Sequence, residues 1–203
     1  MQYVWLTVLW GGWCVLHSVL ASLRVKAFVR EHFPAMFPYY RIAYNLFAVL
    51  ALLPVLAYSF TVQGTVFLQW EGPWVAARMA MILAGLALFI APLKRYDMSR
   101  FLGWRQITEG EQPASLAADA GLDTGGVLAY VRHPWYSGAM LIIWARDLDM
   151  ATLIVNVIIT AYLFIGARLE ERKLVEELGD EYRRYQRTVG MFFPRLSRRS
   201  AGE

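Results

Sequence analysis

Between residues 4 and 23 the chain runs for about 20 residues without an acidic side chain, lysine or arginine, the length a helix needs to cross the hydrocarbon of a bilayer. Inside lipid, every backbone N–H and C=O must find a partner within the segment, so such a run permits a helix and little else. Comparable apolar runs follow at residues 40–60, 74–93, 135–144 and 150–167, the last two parted by Arg146-Asp147-Leu148-Asp149. The composition agrees: 58% hydrophobic and 18% charged residues over 203 positions is too apolar for a soluble domain. The expected fold is an all-α integral membrane protein of about five transmembrane helices, the last two forming a C-terminal hairpin, with cytoplasmic C-terminal helices after them. As one membrane-embedded domain it reads as three N-terminal spans over 1–93, a cytoplasmic loop over 94–134, and the hairpin with its C-terminal segment over 135–203.

Charge placement sets the expected topology. The stretches 24–41, 94–132 and 168–199 carry 4, 5 and 9 of the 20 Lys and Arg residues, and with five helices all three fall on one side. The positive-inside rule makes that side the cytoplasm, with the N-terminus outside and the C-terminus inside. No basic leader or small-residue cleavage site precedes the first run, so it is read as a mature helix. Basic residues that flank spans, instead of forming an exposed stripe, argue against a nucleic-acid partner. The single Cys14 permits no intramolecular disulfide, no Cys/His cluster offers a metal site, and Cys14 itself reads as packing.

Two polar islands interrupt the apolar pattern. The first is Tyr130-Val131-Arg132-His133-Pro134-Trp135-Tyr136-Ser137-Gly138. Proline suits the first turn of a helix, so Pro134 is expected to start one. The positive end of that helix, with Arg132 and His133 just ahead of it, suits an anionic group such as a carboxylate. The alternative is that both are interfacial anchors beside a span. The second island is Glu170-Glu171, which continues directly from an apolar run, and an ionisable residue at membrane depth is a functional candidate. Ion pairs at i, i+3 (Glu170 with Lys173, Arg168 with Glu171) are the structural alternative. Together, Glu170 and the cationic corner would suit the amine and carboxylate ends of an amino-acid-like ligand. The charged tail helix is expected to end at Gly179 as a C-cap, and a short helix to restart at Asp180. Tyr182 and Tyr185 on it either cover a ligand or pack the tail. His17-Ser18, in the first span, reads as a hydrogen-bonded structural pair.

The pieces RHPWYSG, EERKLVEELG and GDEYRRYQRTV, in this order and spacing, resemble the isoprenylcysteine carboxyl methyltransferase and phospholipid methyltransferase superfamily over roughly the last third of the chain. GWRQ at 103–106, the wording of RHPWYSG and the ARLEERKLVEELGDEYRRY stretch are most similar to the bacterial methanethiol S-methyltransferase branch. HSVLAS and YRIAYNL resemble that branch too, as well as a membrane family associated with denitrification. The resemblance implies S-adenosylmethionine as cofactor, held by Gln106, the backbone at Leu122, and the corner residues Tyr130, His133, Pro134, Trp135, Tyr136 and Gly138, together with Glu170. It also implies a bacterial cytoplasmic membrane and an active site that opens to the cytosol. Arg132 and Arg168 are candidates to favour a thiolate by positive charge, with Glu171 as a third catalytic candidate.

The chain departs from the eukaryotic carboxyl methyltransferases at Leu128, where they carry tyrosine, at Ala120, where they carry histidine, and at Gly166, where they carry an arginine that Arg168 follows by two positions. A prenylated protein is therefore not the expected substrate. A small or lipophilic acceptor is, most simply a thiol. The alternatives are a lipid amine, as in phospholipid N-methylation, and a non-catalytic accessory protein of the same fold. A reductase would need a nucleotide-phosphate loop that the sequence lacks.

Overall fold

The computed structural model describes residues 1–109 and 122–195, among which every regular element is a helix. Ala120, the centre of the Gly-rich loop, and Arg198 and Arg199 lie outside the described residues. In chain order the helices are α1 (Gln2–Ala21), α2 (Leu23–His32), α3 (Tyr40–Thr61), α4 (Trp74–Ile90), α5 (Met98–Leu102), α6 (Trp104–Glu109), α7 (Pro134–Trp144), α8 (Met150–Leu178) and α9 (Asp180–Thr188). The protein is an all-α integral membrane protein. Among the described residues, four helical segments are long and apolar enough to cross a bilayer: Gln2–Ala21, Phe37–Thr61, Trp74–Lys94 and Met150–Leu178. The remaining apolar run is α7, whose 11 residues rise about 16 Å, roughly half a hydrocarbon core.

Three expectations are corrected. The 24–41 stretch, which Pro34 and Pro38 mark in the sequence as a loop, is not all loop: α2 occupies its first part because Ser22 accepts a hydrogen bond from the Val25 N–H at its start and no proline intervenes before Pro34. Arg30 and His32 in its last turn complement the helix dipole. The 94–132 stretch likewise contains α5 and α6, the former capped by Asp97, which accepts from the Arg100 N–H at 3.0 Å. The span at 150–167 and the charged helix after it are one rod of 29 residues, about 44 Å long. Gly179 ends that rod at φ +58°, where a Cβ would be strained, and α9 follows directly.

The chain forms two compact units: Met1–Gln69, Asp97–Ala114 and Asp147–Tyr162 in one, Trp70–Tyr96, Ser115–Arg146 and Leu163–Glu203 in the other. The core of the first is Leu6, Trp10, Val55, Val62, Ala151 and Val155, from α1, α3 and α8. His17 lies in this unit with both ring nitrogens engaged, Nε2 with the Tyr44 hydroxyl at 2.7 Å and Nδ1 with the Tyr162 hydroxyl at 2.6 Å. That agrees with the structural reading of His17. Cys14 is buried and free.

In the second unit α4 and α7 pack antiparallel. The Trp135 indole donates to the Phe89 carbonyl near one end (3.0 Å), and the Trp70 indole to the Arg146 carbonyl near the other (3.2 Å). Two glycines allow the approach. A Cβ on Gly138 would stand 2.7 Å from the Gly85 carbonyl oxygen, and one on Gly85 would stand 2.7 Å from Ile142 Cγ1. Since backbone cannot swing aside as a side chain can, Gly138→Val is expected to force the helices apart and cost about 1–3 kcal/mol. A lower thermal midpoint of the detergent-solubilised protein, with Ala139→Val as a control on the same helix, checks this.

Candidate functional site

Residues 131–133 approach α7 as an extended strand that pairs in parallel with the C-terminal segment: the Arg132 N–H donates to Gly190 O at 2.9 Å and the His133 N–H to Met191 O at 3.0 Å. Pro134 then takes the first helical position, as its fixed φ favours, with His133 as N-cap. Ser137, one turn in, lies 3.0 Å from His133 O and 2.8 Å from Phe192 O through its hydroxyl. The corner is thus fastened to the tail by main chain before any charge is considered.

Charge completes the fastening. Glu171, only 5% exposed, accepts from Arg132 Nε and Nη2 at 2.7 Å, from His133 Nε2 at 3.2 Å and from Gln186 Nε2 at 2.9 Å. Arg132 Nη1 donates to the Gln186 and Val189 carbonyls. All three guanidinium nitrogens of Arg132 therefore have partners within the protein. Beneath this knot Tyr182, Tyr185 and Val189 of the α9 region pack with Leu122, Leu174, Val175 and Leu178. The Tyr185 hydroxyl donates to Leu128 O at 2.5 Å. Burial pushes the phenols of Tyr182 and Tyr185 well up, so both stay neutral; they pack the tail.

Glu170 points elsewhere. Its side chain is half exposed, with Oε2 3.7 Å from His133 Nδ1 and 3.4 Å from the Tyr136 hydroxyl, which donates to it. The His133 and Tyr136 rings stack at 5.4 Å and 12°. Tyr96 and Trp135 form a second aromatic pair, 4.8 Å apart. The Tyr96 phenol is pushed up to about 12, first by burial, then by the negative charges of Glu170 and Asp123. Because Glu171 is a carboxylate acceptor at Nε2, that nitrogen carries the proton, and in the neutral imidazole Nδ1 is a lone pair. Two acceptors, Nδ1 and Glu170, then face one another, an arrangement that suits a cationic N–H donor.

The structure brings His133, Pro134, Trp135, Tyr136, Glu170 and Glu171 together with Arg132. Leu122 joins them through the apolar cluster under α9, and its neighbour Asp123 is held by the Gly125 N–H and by Arg95 at 2.9 Å, which keep the Asp123 carboxyl below its ordinary range. Tyr130 is exposed at the start of the corner, and Gly138 faces α4. Arg168 holds its guanidinium over the Phe164 ring at 4.9 Å. Gln106 falls in the other unit, where its Nε2 donates to Arg100 O at 3.1 Å and its buried Oε1 has no partner among the described residues. Sequence reasoning missed Tyr96 and Gln186. Tyr96 sits in a basic stretch with no motif to mark it, and Gln186 lies inside a quoted motif without a role.

Among known proteins, the chain is 32% identical over 182 residues to methanethiol S-methyltransferase 1 of Bradyrhizobium diazoefficiens, an alignment covering 89% of this chain but 62% of that protein, less than two thirds of its length. It is 31% identical over 192 residues to the methanethiol S-methyltransferase of Pseudomonas deceptionensis, covering 91% and 70% respectively. With the protein of the same name from Mycobacterium tuberculosis it shares 29% over 194 residues, 92% and 76% of the two chains. No family model and no solved structure matches it.

Removing one partner of a buried ion pair strands the other, at about 3–5 kcal/mol, whereas replacing both by apolar groups of similar volume is far milder. Glu171→Leu alone is therefore expected to destabilise the protein severely, and Arg132→Met added to it to recover most of the loss. Thermal unfolding of the two variants in detergent checks the order.

Proposed function

The chain belongs to the methanethiol S-methyltransferase family, and from that premise we propose that it is a membrane enzyme moving a methyl group from S-adenosylmethionine to a small thiol, methanethiol in the simplest case. The observation that carries this reading is the juxtaposition of His133 Nδ1 and Glu170 Oε2 at 3.7 Å, beside the stacked Tyr136 ring. An amino-acid ammonium group satisfies both acceptors at once. The Tyr96–Trp135 pair offers flat apolar surface of the kind that accepts a purine. The backbone at Leu122, in the apolar cluster under α9, offers a further contact.

When bound, S-adenosylmethionine supplies an electrophilic methyl group on a sulfonium cation. Glu170 complements the positive charge of the amino-acid end. Glu171 and Arg132 position: held by Gln186 and by the carbonyls of the tail, they fix the ring of His133 so that Nδ1 faces Glu170. Arg168, about 200° round α8 from Glu170, takes no part in this step. In the transfer the thiol sulfur gives its proton up to solvent and gains the methyl group, and the donor's sulfonium sulfur would be left as a neutral thioether. Opposite charges on thiolate and sulfonium vanish together, so a pocket poor in water lowers the barrier relative to solution. With α7 and α8 taken as a hairpin that crosses and returns, five helices put the three basic stretches on one side, and the positive-inside rule then supports a cytoplasmic-membrane location with the N-terminus outside and the site open to the cytosol.

Incubating purified protein with methyl-labelled S-adenosylmethionine and methanethiol is expected to give labelled dimethyl sulfide. Glu170→Gln should raise KM for the methyl donor about tenfold or more, the weight of a charge-assisted hydrogen bond, with a smaller change in kcat. Label found in an ethanolamine phospholipid instead of the thioether, or no transfer to either, would contradict the proposal.

A further inference from the structure

On the side of α8 turned away from Glu170, the second unit holds a cavity of about 490 Å³. Arg168, Arg172, Val175 and Glu176 line it from α8, with Gln186 and Met191 from the tail. Arg168, Arg172 and Glu176 recur at intervals of four, so they share one face of the helix. Arg132 and Glu171 also reach the wall, but they neutralise each other at 2.7 Å. What remains is two guanidinium groups against one carboxylate. Neither Arg168 nor Arg172 makes an ion pair with any described residue, Arg168 resting only on the Phe164 ring. Two arginines one turn apart, without carboxylate partners, offer the fork of donors that a phosphate group accepts.

The same helical stripe continues toward the membrane interior as apolar surface. Ile165 is 57% exposed, three residues before Arg168, and Leu169 is 47% exposed, three residues before Arg172. A row that changes from exposed aliphatic to unpaired cationic within two turns, at the end of an apolar span, matches a molecule with a hydrocarbon tail and an anionic head. We propose that this cavity binds the phosphate head group of an anionic phospholipid, with its acyl chains along Ile165 and Leu169. Arg168 and Arg172 hold the phosphodiester oxygens, and Val175 and Met191 wall the far side of the head group. Glu176 disfavours further negative charge and sets the affinity below what two arginines alone would give. This site does not depend on the methyl-transfer reading, because it uses the opposite face of α8.

Native mass spectrometry of the full chain in detergent, titrated separately with phosphatidylglycerol, phosphatidylcholine and inorganic phosphate, tests the proposal. The expected result is a single retained phosphatidylglycerol, bound about tenfold or more tighter than phosphatidylcholine. Arg172→Ala should weaken it by a similar factor, Glu176→Gln should tighten it severalfold, and Arg24→Ala, a basic residue of α2, should leave it unchanged. Both informative substitutions are at exposed positions, and their opposite signs separate lost binding from lost folding. Equal retention of the two lipids, indifference to Arg172→Ala, or binding of inorganic phosphate without the lipid would overturn it.

Discussion

A buried ion pair is costly to assemble, because both charges leave water before they attract one another, and it survives only where further hydrogen bonds saturate it. The Arg132–Glu171 pair meets that condition. Two carbonyls of the tail, the amide of Gln186 and the imidazole of His133 complete it. Its consequence is spatial. A corner at residue 132 and a helix at residue 171, with an apolar hairpin between them in sequence, are forced to one point. The tail over 186–191 is drawn in as a third participant. Within the second unit the other features arrange themselves around that point: the stacked His133 and Tyr136, the half-exposed Glu170, and the tyrosines of α9 packed beneath.

Adjacent glutamates divide the labour. Successive helix positions differ by about 100°, so of two neighbouring carboxylates only one can turn into the knot. Glu171 does so and becomes structural in effect, while Glu170 remains where a ligand can reach it. At 29 residues, α8 is long enough to leave the hydrocarbon and carry both carboxylates past its edge.

Much of this was legible in the sequence because it rests on local rules. The apolar runs, Pro134 at a helix start, Gly179 at a helix end and a helix from Asp180 all follow from spacing and backbone chemistry, and each is present. What was not legible depended on partners far along the chain or on weak local signals. α2 was hidden because a basic stretch running up to Pro34 and Pro38 reads as loop, although Ser22 supplies a cap. Which glutamate would pair with Arg132 depends on helix rotation, which sequence does not state. Tyr96 and Gln186 gain their places only through tertiary contact, the first against Trp135, the second against Glu171. The 490 Å³ cavity on the far face of α8 likewise exists only once the tail has folded back.

The central claim is that His133 and Glu170 act together on one ligand. A double-mutant cycle measures that directly: calorimetric affinity for S-adenosylmethionine in the unaltered protein, His133→Ala, Glu170→Gln and the double variant, each verified as folded. Two groups sharing one ammonium should couple by about 1 kcal/mol or more, so the double variant should bind much better than the sum of the single losses predicts. Strict additivity of the two losses, or full affinity in both single variants, would contradict the account.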